Sequence, residues 1–135
     1  MFKVINFHTT TREELVNLKD EIEAFVKESK VQAGLCAVYC PHTTAGLVVN
    51  SYLDPNTPKD ILHEIGRLIP TRLDFFHTFD TPSDAAGHVK SSLVGISVLF
   101  VIHEGKLMLG HSQGILFSEF DGPLDRMVFV KLIAG

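Results

Sequence analysis

The C-terminal third of the chain consists of short apolar runs separated by turn-forming residues, and this pattern constrains the fold more than any other feature. The runs are "GISVLFVIH", "LMLG", "GILFSEF" and "RMVFVKLI", with "HEGK" and "DGP" as turns between them. Short runs rich in Val, Ile and Phe and bounded by Gly, Pro and Asp are typical of β-strands. Because strands joined by tight turns run in opposite directions, this third of the chain predicts successive antiparallel pairs.

The first half of the sequence mixes strand-like and helix-like segments. "FKVINFH" predicts a first strand, and "GLCAVYC" and "AGLVVNSY" predict two more, on either side of the polar break "PHTT". Thr11 followed by Glu14 matches a capping box. The apolar spacing that follows, from Leu15 to Phe25, predicts a helix over residues 12–28.

Two further helices are indicated before the C-terminal strands. Thr57 and Pro58 are suited to the start of an amphipathic helix that ends before Pro70. Residues 71–83 have the composition of a loop, and a short helix is expected from about 83 to 93. Strands outnumber helices, so the expected class is α+β, with a largely antiparallel sheet packed against helices in one domain spanning residues 1–135.

Composition limits the classes of function. Of the 135 residues, 45% are hydrophobic and 21% charged, which favours a packed core over disorder. The net charge of −4 argues against nucleic acid or an anionic membrane as the main partner. The first residues lack the layout of a signal peptide, and Cys36 and Cys40 are interpreted as small buried residues in a reducing compartment. We therefore expect a cytoplasmic protein.

Three histidines lie at boundaries between predicted elements. His42 is in the "PHTT" break, His77 follows two phenylalanines in a loop, and His88 is on the third helix with Asp84 one turn before it. Side chains four residues apart share a helix face, so Asp84 can orient His88 or join it as a ligand. The spacing alone leaves two interpretations open: one shared metal or proton-transfer site, or unrelated histidines. His8, His63 and His103 are interpreted as surface residues. For His111, a functional role and a surface position both stay open.

Two acids near the C-terminus form a second candidate group. In "SEFDGPLDR", Glu119 and Asp121 lie on one face of a strand end, and Arg126 follows the turn. Carboxylates this close repel one another unless they are solvated, paired or bound to metal. The alternatives are a metal-binding or substrate-binding role and a charged edge with a salt bridge.

Anion binding is the remaining chemistry that the residues suggest. The chain has neither GxxxxGK[ST] nor GxGxxG after a strand, so no nucleotide cofactor is expected, and it has no GxSxG elbow for a serine hydrolase. Hydroxyls, helix-end amides and cationic side chains can still hold a phosphate. The candidates for that role are Thr43, Thr44, Lys90, Ser91, Ser92 and Arg126.

Four stretches in this order resemble the YjbQ family, also called the secondary thiamine-phosphate synthase family: "HTTAGLVVN", "AAGHVKSSLVG", "GKLMLGHSQGI" and "EFDGP". The resemblance covers residues 2–133. It implies an α+β domain with an antiparallel sheet on helices, assembled as a homotrimer. It also implies a pocket for a metal or an anionic ligand, lined by His42, Thr43, Thr44, Asn50, Asp54, Asp60, His77, His88, Gln113, Glu119 and Asp121.

The sequence departs from the family pattern at several of these motifs. Ser51 replaces an acid, Asp84 replaces an asparagine and Leu124 replaces an arginine, and "GHSQG" lacks a tryptophan before the glutamine. The lost arginine weakens the case for anion binding, whereas the added charge of Asp84 favours a metal cation.

The activity implied by the resemblance joins hydroxymethylpyrimidine pyrophosphate to thiazole phosphate, as a main or a side reaction, with divalent Mg²⁺ or Zn²⁺. The alternatives are a non-catalytic metal- or ligand-binding trimer and a hydrolase of a small phosphorylated metabolite. Catalytic roles are assigned to His42, His77, His88 and Glu119. Ligand-binding roles are assigned to Thr43, Thr44, Asn50, Lys90, Gln113, Asp121 and Arg126. Metal-ligand roles are assigned to His42, His77, Asp84 and His88.

Overall fold

Eight strands and three helices form the fold in the computed structural model, which describes residues 1–135. The strands are β1 (Phe2–His8), β2 (Glu14–Asn17), β3 (Ala33–Tyr39), β4 (Ala45–Ser51), β5 (Ser97–His103), β6 (Lys106–Leu107), β7 (Gln113–Glu119) and β8 (Asp125–Ala134). The helices are α1 (Lys19–Ser29), α2 (Asn56–Leu68) and α3 (Pro82–Val94). The expected α+β class is confirmed. No helix is long and apolar enough to cross a lipid bilayer.

The strands form two sheets, and every strand pairing is antiparallel. The larger sheet has the order β1-β8-β3-β5-β6 and the smaller sheet the order β2-β7-β4. Strands β5 and β6 are consecutive in sequence and pair as a hairpin. Strands β7 and β8 are also consecutive, but they belong to different sheets. The predicted antiparallel pattern is confirmed, but the chain uses two sheets where the sequence suggested one.

The core lies between the inner faces of the sheets and helix α1. On β8, Val128, Val130 and Leu132 are buried at every second position, as the two-residue period of a strand requires. Helix α1 contributes Ile22 and Phe25 to the same cluster of 17 buried residues. Each such side chain stabilises the fold by about 1.5–3 kcal/mol relative to exposure, so this shared core holds both sheets to the helix.

Strand pairing places the "PHTT" break beside the end of β7. The register of β4 and β7 sets Ala45 opposite Glu119. A Cβ atom at Gly46 would lie 2.5 Å from the carbonyl oxygen of Gly95, so the glycine allows the end of α3 to lie directly on β4. The break, the end of β7 and helix α3 consequently meet at one edge of the molecule.

The first helix is shorter than predicted. Residues 14–17 form strand β2, which pairs with β7, and the helix begins only at Lys19. Glu14 accepts hydrogen bonds from the amide and hydroxyl of Thr10, so the predicted Thr11–Glu14 capping box is wrong. The pairing with β7 satisfies backbone groups that a helix would otherwise satisfy, and this long-range contact overrides the local helix signal.

The other predicted elements agree with the structure apart from their ends, except for the predicted strand "LMLG", of which only Leu107 lies in a strand. Helix α2 begins at Asn56, with Asp54 accepting from the Asn56 amide, and Thr57 does not cap it. Helix α3 spans Pro82–Val94 and is capped by Thr81, close to the predicted 83–93. The apolar stripe of α2 contains no fully buried residue in the single chain. One face of this helix is therefore available for contacts beyond the chain.

The start of α1 generates a stability prediction. The side-chain oxygen of Asn17 accepts hydrogen bonds from the amides of Lys19 and Ile115, at 3.1 and 3.2 Å. We expect Asn17→Ala to lower the free energy of unfolding by about 1–2 kcal/mol, because it removes the partner of both amides. Chemical denaturation followed by circular dichroism measures the change.

The matched control is Thr11→Ala, which removes the side chain that the sequence pattern predicts as the helix cap. The Thr11 hydroxyl is exposed and donates only to the Glu13 carbonyl, so this variant should stay within about 0.5 kcal/mol of the wild type. A larger loss for Thr11→Ala than for Asn17→Ala would contradict the observed helix start.

Candidate metal centre and adjoining groove

His77, Asp84 and His88 form one cluster where the 71–81 loop meets helix α3. Asp84 lies in the first turn of α3, which Thr81 caps by accepting from the Asp84 amide. The Asp84 Oδ2 atom lies 2.9 Å from Nε2 of His77 and 3.2 Å from Nε2 of His88. The helix sets Asp84 and His88 one turn apart, and the loop brings His77 to the same carboxylate. The predicted convergence of histidines is therefore met for two of the three.

The hydrogen bonds of His88 leave its Nε2 atom facing an acceptor. The Nδ1 atom lies 3.2 Å from the backbone carbonyl of Thr43, which can only accept, so Nδ1 carries the proton. In the neutral ring, Nε2 then presents a lone pair towards the Asp84 carboxylate. Two acceptors at this distance require a cation between them, either a proton on Nε2 or a metal ion.

The three ligand atoms are close enough for a single metal ion. All of them lie within 4.8 Å of one another. In a tetrahedral zinc site with bonds of about 2.0–2.1 Å, ligand atoms are about 3.3 Å apart, close to both measured distances to Asp84. Two imidazoles and one carboxylate suit Zn²⁺ better than Mg²⁺, which prefers an all-oxygen shell. The donor set leaves a fourth position open.

The cluster carries negative charge that favours a cation. Burial raises the pKa of Asp84, but the hydrogen bond from His77 and the charge of His88 outweigh that effect, and the pKa lies below its ordinary value. Burial also raises the pKa of Asp121, and the neighbouring Asp84 carboxylate raises it further. The Asp121 carboxylate lies 3.6 Å from Arg12. Asp84 in the cluster and Asp121 next to it thus have pKa values moved in opposite directions.

A groove and a smaller hollow adjoin the cluster. The groove has a volume of about 510 Å³ and is lined by Tyr39, Cys40, Pro41, His42, Thr43, His88, Ser91, Ser92, Gly95 and Ile96. The hollow, of about 200 Å³, contains His77 and Arg72 among its lining residues. His88 therefore borders one space and His77 the other.

Glu119 and Arg126 form a buried ion pair. Arg126 Nε and Nη2 donate to the two Glu119 oxygens, at 2.8 and 2.5 Å. The same carboxylate accepts from the Thr9 hydroxyl and from the amides of residues 120 and 121. Every oxygen of Glu119 is occupied and the side chain has no exposed surface. Its predicted catalytic role has no free atom to support it, and the salt-bridge alternative describes this pair.

The positive charges predicted to bind a ligand are occupied as well. Arg126 also donates to the Thr44 hydroxyl and is only 6% exposed. Lys90 is 2% exposed and lies 3.3 Å from the carboxylate of Glu13. Neither cation reaches the groove, so an anionic ligand there would depend on other groups.

His42 lines the groove but stays outside the three-residue cluster. Its Nε2 atom lies 2.9 Å from the Met127 amide nitrogen and 3.1 Å from the Met127 carbonyl oxygen, so the backbone of Met127 engages this nitrogen in either tautomer. Burial lowers the pKa of His42, and the positive charge of Arg126 lowers it further. The lowered pKa favours a neutral ring, and the Nε2 atom is already engaged by the backbone, which does not support the predicted role as a metal ligand.

The remaining predicted residues divide between the site and the far end of the small sheet. Thr43 contributes its carbonyl, which also accepts from Ser91 at 2.6 Å. Asn50 and Gln113 lie six strand positions from Thr44 and Glu119, roughly 20 Å away. Asp54 and Asp60 are exposed on or before α2. None of these four residues at the far end joins the cluster in the single chain.

Several residues of the site carry no signal in the local sequence. Thr9 binds Glu119 across 110 residues of sequence, and Glu13 binds Lys90 across 77. Arg72 is next to His77 only through the path of the loop. No local pattern marks such partners, although the run "HTTT" at residues 8–11 indicates a hydroxyl-rich strand end.

These observations define the class: an α+β protein of two antiparallel sheets with a candidate metal centre at the start of its last helix. The profile of the family "UPF0047 protein YjbQ-like" matches residues 3–135. The chain belongs to this YjbQ/UPF0047 family, as the resemblance in its motifs predicted.

Relatives and solved structures agree with this assignment. The chain is 38% identical to the UPF0047 protein YugU of Bacillus subtilis over 98% of its length and 99% of the relative. A UPF0047 protein of Methanocaldococcus jannaschii is 46% identical over 93% and 88%. A YjbQ/UPF0047 crystal structure from Clostridium acetobutylicum has a TM-score of 0.91 at 39% identity, covering 97% and 99%. A YbjQ-like protein of unknown function from Sulfolobus solfataricus has a TM-score of 0.94 at 29% identity, covering 100% and 97%.

The buried ion pair generates a prediction on stability and its pH dependence. Burial raises the pKa of Glu119, but the hydrogen bonds from Arg126 and Thr9 outweigh it, so the folded-state pKa lies below the ordinary value. Its contribution is complete above the unfolded-state pKa of about 4.3 and is lost as the pH falls through the lower folded-state pKa. We expect Glu119→Gln to cost about 3–5 kcal/mol at pH 7, because Arg126 is left unpaired, and to flatten the acid limb.

Urea denaturation between pH 3 and 7 measures both effects. The control is Glu64→Gln, which breaks the exposed Glu64–Arg67 pair on α2 and should change stability by at most about 0.5 kcal/mol. Equal losses for the two variants would contradict a structural role of the buried pair.

Proposed function

We propose that this chain is a metal-dependent enzyme that acts on a small phosphorylated molecule. The observation that carries the proposal is that ligand atoms of His77, Asp84 and His88 all lie within 4.8 Å of one another. Zn²⁺ is the proposed ion, held by these three side chains. Such an ion would neutralise charge on a phosphoryl oxygen.

The adjoining spaces offer hydroxyl groups and an apolar wall to a substrate, but few free positive charges. The groove offers hydroxyl groups from Ser92 and Thr43 and an apolar wall from Tyr39 and Ile96. Lys90 and Arg126 are engaged by Glu13 and Glu119. Arg72, which lines the same hollow as His77, is itself 2.7 Å from Asp74, so the charge of a phosphoryl group would fall mainly on the ion.

Formation of thiamine phosphate is the specific reaction proposed from the family resemblance. The thiazole nitrogen forms a bond to the methylene carbon of the pyrimidine, and the bond from that carbon to pyrophosphate breaks. In this chain the groove would hold the two rings at reacting distance, which lowers the entropic barrier. The ion-binding side chains would lie at the leaving pyrophosphate, and neutral His42 would border the ring-binding wall.

A non-catalytic metal-binding protein is the second candidate. It is favoured by the complete engagement of Glu119, which leaves the groove without that carboxylate as a base. Hydrolysis of a phosphorylated metabolite remains within the enzymatic proposal but breaks a different bond. Water would attack the phosphorus and the alcohol oxygen would leave, whereas synthesis breaks the bond between the methylene carbon and the pyrophosphate oxygen.

Metal binding and turnover are tested together. We expect one Zn²⁺ per chain by calorimetry and elemental analysis, with at least tenfold weaker binding in His88→Ala and Asp84→Asn. Thiamine phosphate should form in proportion to the protein and disappear in His88→Ala. His63→Ala, on the exposed face of α2, should retain both properties.

The outcomes separate the candidates. Metal binding without thiamine phosphate, but with phosphate release from monoesters, would select the hydrolase. Metal binding without any turnover would select the non-catalytic protein. Absence of specific metal binding in the wild type would overturn the proposed centre, and loss of binding in His42→Ala would restore His42 as a ligand.

We also propose a homotrimer, supported by the outer face of the larger sheet. Strand register sets Val101, Leu35 and Ile133 side by side, with Leu99 two residues from Val101 on the same face. All four side chains are exposed in the single chain. A continuous apolar sheet face of this kind is typical of protein–protein contacts.

The sheet face gives an oligomer prediction. We expect the wild type to elute as three chains of 15.0 kDa each in light-scattering chromatography. Val101→Glu should dissociate it, because burying an unpaired charge in an apolar contact costs several kcal/mol. Lys59→Glu, at an exposed site on α2, is the matched control and should leave the mass unchanged. A wild-type monomer would contradict the proposal.

A further inference from the structure

A second groove lies between helix α1 and the β5–β6 turn, and it shares no lining residue with the metal centre. Its volume is about 570 Å³. The apolar part of its lining includes Val26, Val31 and Leu107, and the polar part includes Lys27, Lys30 and Lys106. Pockets of about 300–1,000 Å³ with an apolar lining and a few polar groups are typical of small-molecule sites.

The charges around this groove are unbalanced towards positive. Lys27, Lys30 and Lys106 form no ion pair in the structure. The two lining glutamates have neighbours outside it: Glu23 lies 3.6 Å from Lys19, and Glu104 lies 3.7 Å from His103. In a chain with a net charge of −4, three unpaired amines around one groove create a local site for an anion.

The backbone at the rim is held in an unfavourable conformation. Only two non-glycine residues in the chain have positive φ angles, Lys30 at 61° and Glu104 at 50°, and both line this groove. Lys30 follows the last turn of α1, a position where glycine is usual. Glu104 and Gly105 are the two residues of the β5–β6 turn, a type of turn in which both central residues have positive φ angles. Glycine would relieve the strain at either Lys30 or Glu104.

We propose that this groove binds a small amphipathic anion, a carboxylate or phosphate head group on a short apolar chain. The head group contacts the amines of Lys30 and Lys106 at the rim. The apolar chain lies on Val31 and Leu107. This site is separate from the proposed metal centre and does not depend on its function.

Titration with octanoate and octyl phosphate tests the site, followed by amide chemical shifts and calorimetry. Both probes should shift the amides that line the groove and bind more weakly as salt rises. The tighter of the two identifies the natural head group. Octyltrimethylammonium has the apolar chain without a negative head group, and inorganic phosphate has the negative charge without an apolar chain. Both should bind at least tenfold more weakly. Equal binding of either one, or shifts outside the groove only, would overturn the proposal.

Two strain-relieving variants separate ligand binding from stability. Lys30→Gly and Glu104→Gly each place glycine at a positive φ angle, so both should raise the melting temperature. Lys30→Gly should weaken octanoate binding about five- to tenfold because it removes an amine. Glu104→Gly should strengthen it because it removes a negative charge. Lys59→Gln, remote from the groove, is the control, and a change of the same sign in both glycine variants would overturn the assignment.

Discussion

The buried ion pair between Glu119 and Arg126 is the interaction on which the rest of the structure depends. It joins four segments: the end of β1 through Thr9, the polar break through Thr44, the end of β7 and the start of β8. Charges removed from water are costly unless their hydrogen bonds are complete, and here they are complete. This requirement fixes the two sheets relative to each other at the edge where α3 is attached.

The same network reaches the candidate metal centre through one peptide unit. Thr44 bonds to Arg126 by its hydroxyl, and the preceding carbonyl, of Thr43, accepts from His88 and Ser91. A Cβ atom at Gly87 would lie 3.2 Å from Thr44, so the helix lies tightly against this unit. The orientation of the His88 ring thus follows from packing around a charge pair that itself contacts no ligand.

Local sequence patterns predict helices and strands well where residues close in sequence determine the backbone conformation. The two-residue alternation located most strands, and Thr81 with Pro82 marks the start of α3. The pattern failed at residues 14–17, because pairing with β7 outweighs helix propensity there. The Asp84–His88 pair follows from helix geometry, and such a relation can be predicted from spacing.

The rest of the site depends on partners that are distant in sequence. Whether Lys90 faces a ligand or Glu13 is decided by the path of a loop 77 residues earlier, and sequence carries no sign of it. The sequence groups His42 with the other histidines because of its position at a strand end. Its ring turns instead to the Met127 amide on β8. The sequence indicates which residue types can carry chemistry, but not the direction in which their side chains point.

The three proposed ligands differ in how they are anchored. Asp84 and His88 are separated by one turn of helix, whereas His77 belongs to a loop in which Phe76 and Phe79 are exposed. An ion bound by all three would link the loop to the helix. The helix fixes the distance between the ligand atoms of Asp84 and His88, whereas His77, on the loop, can adjust its distance to ions of different radius. The centre would consequently discriminate among metals by donor chemistry rather than by size.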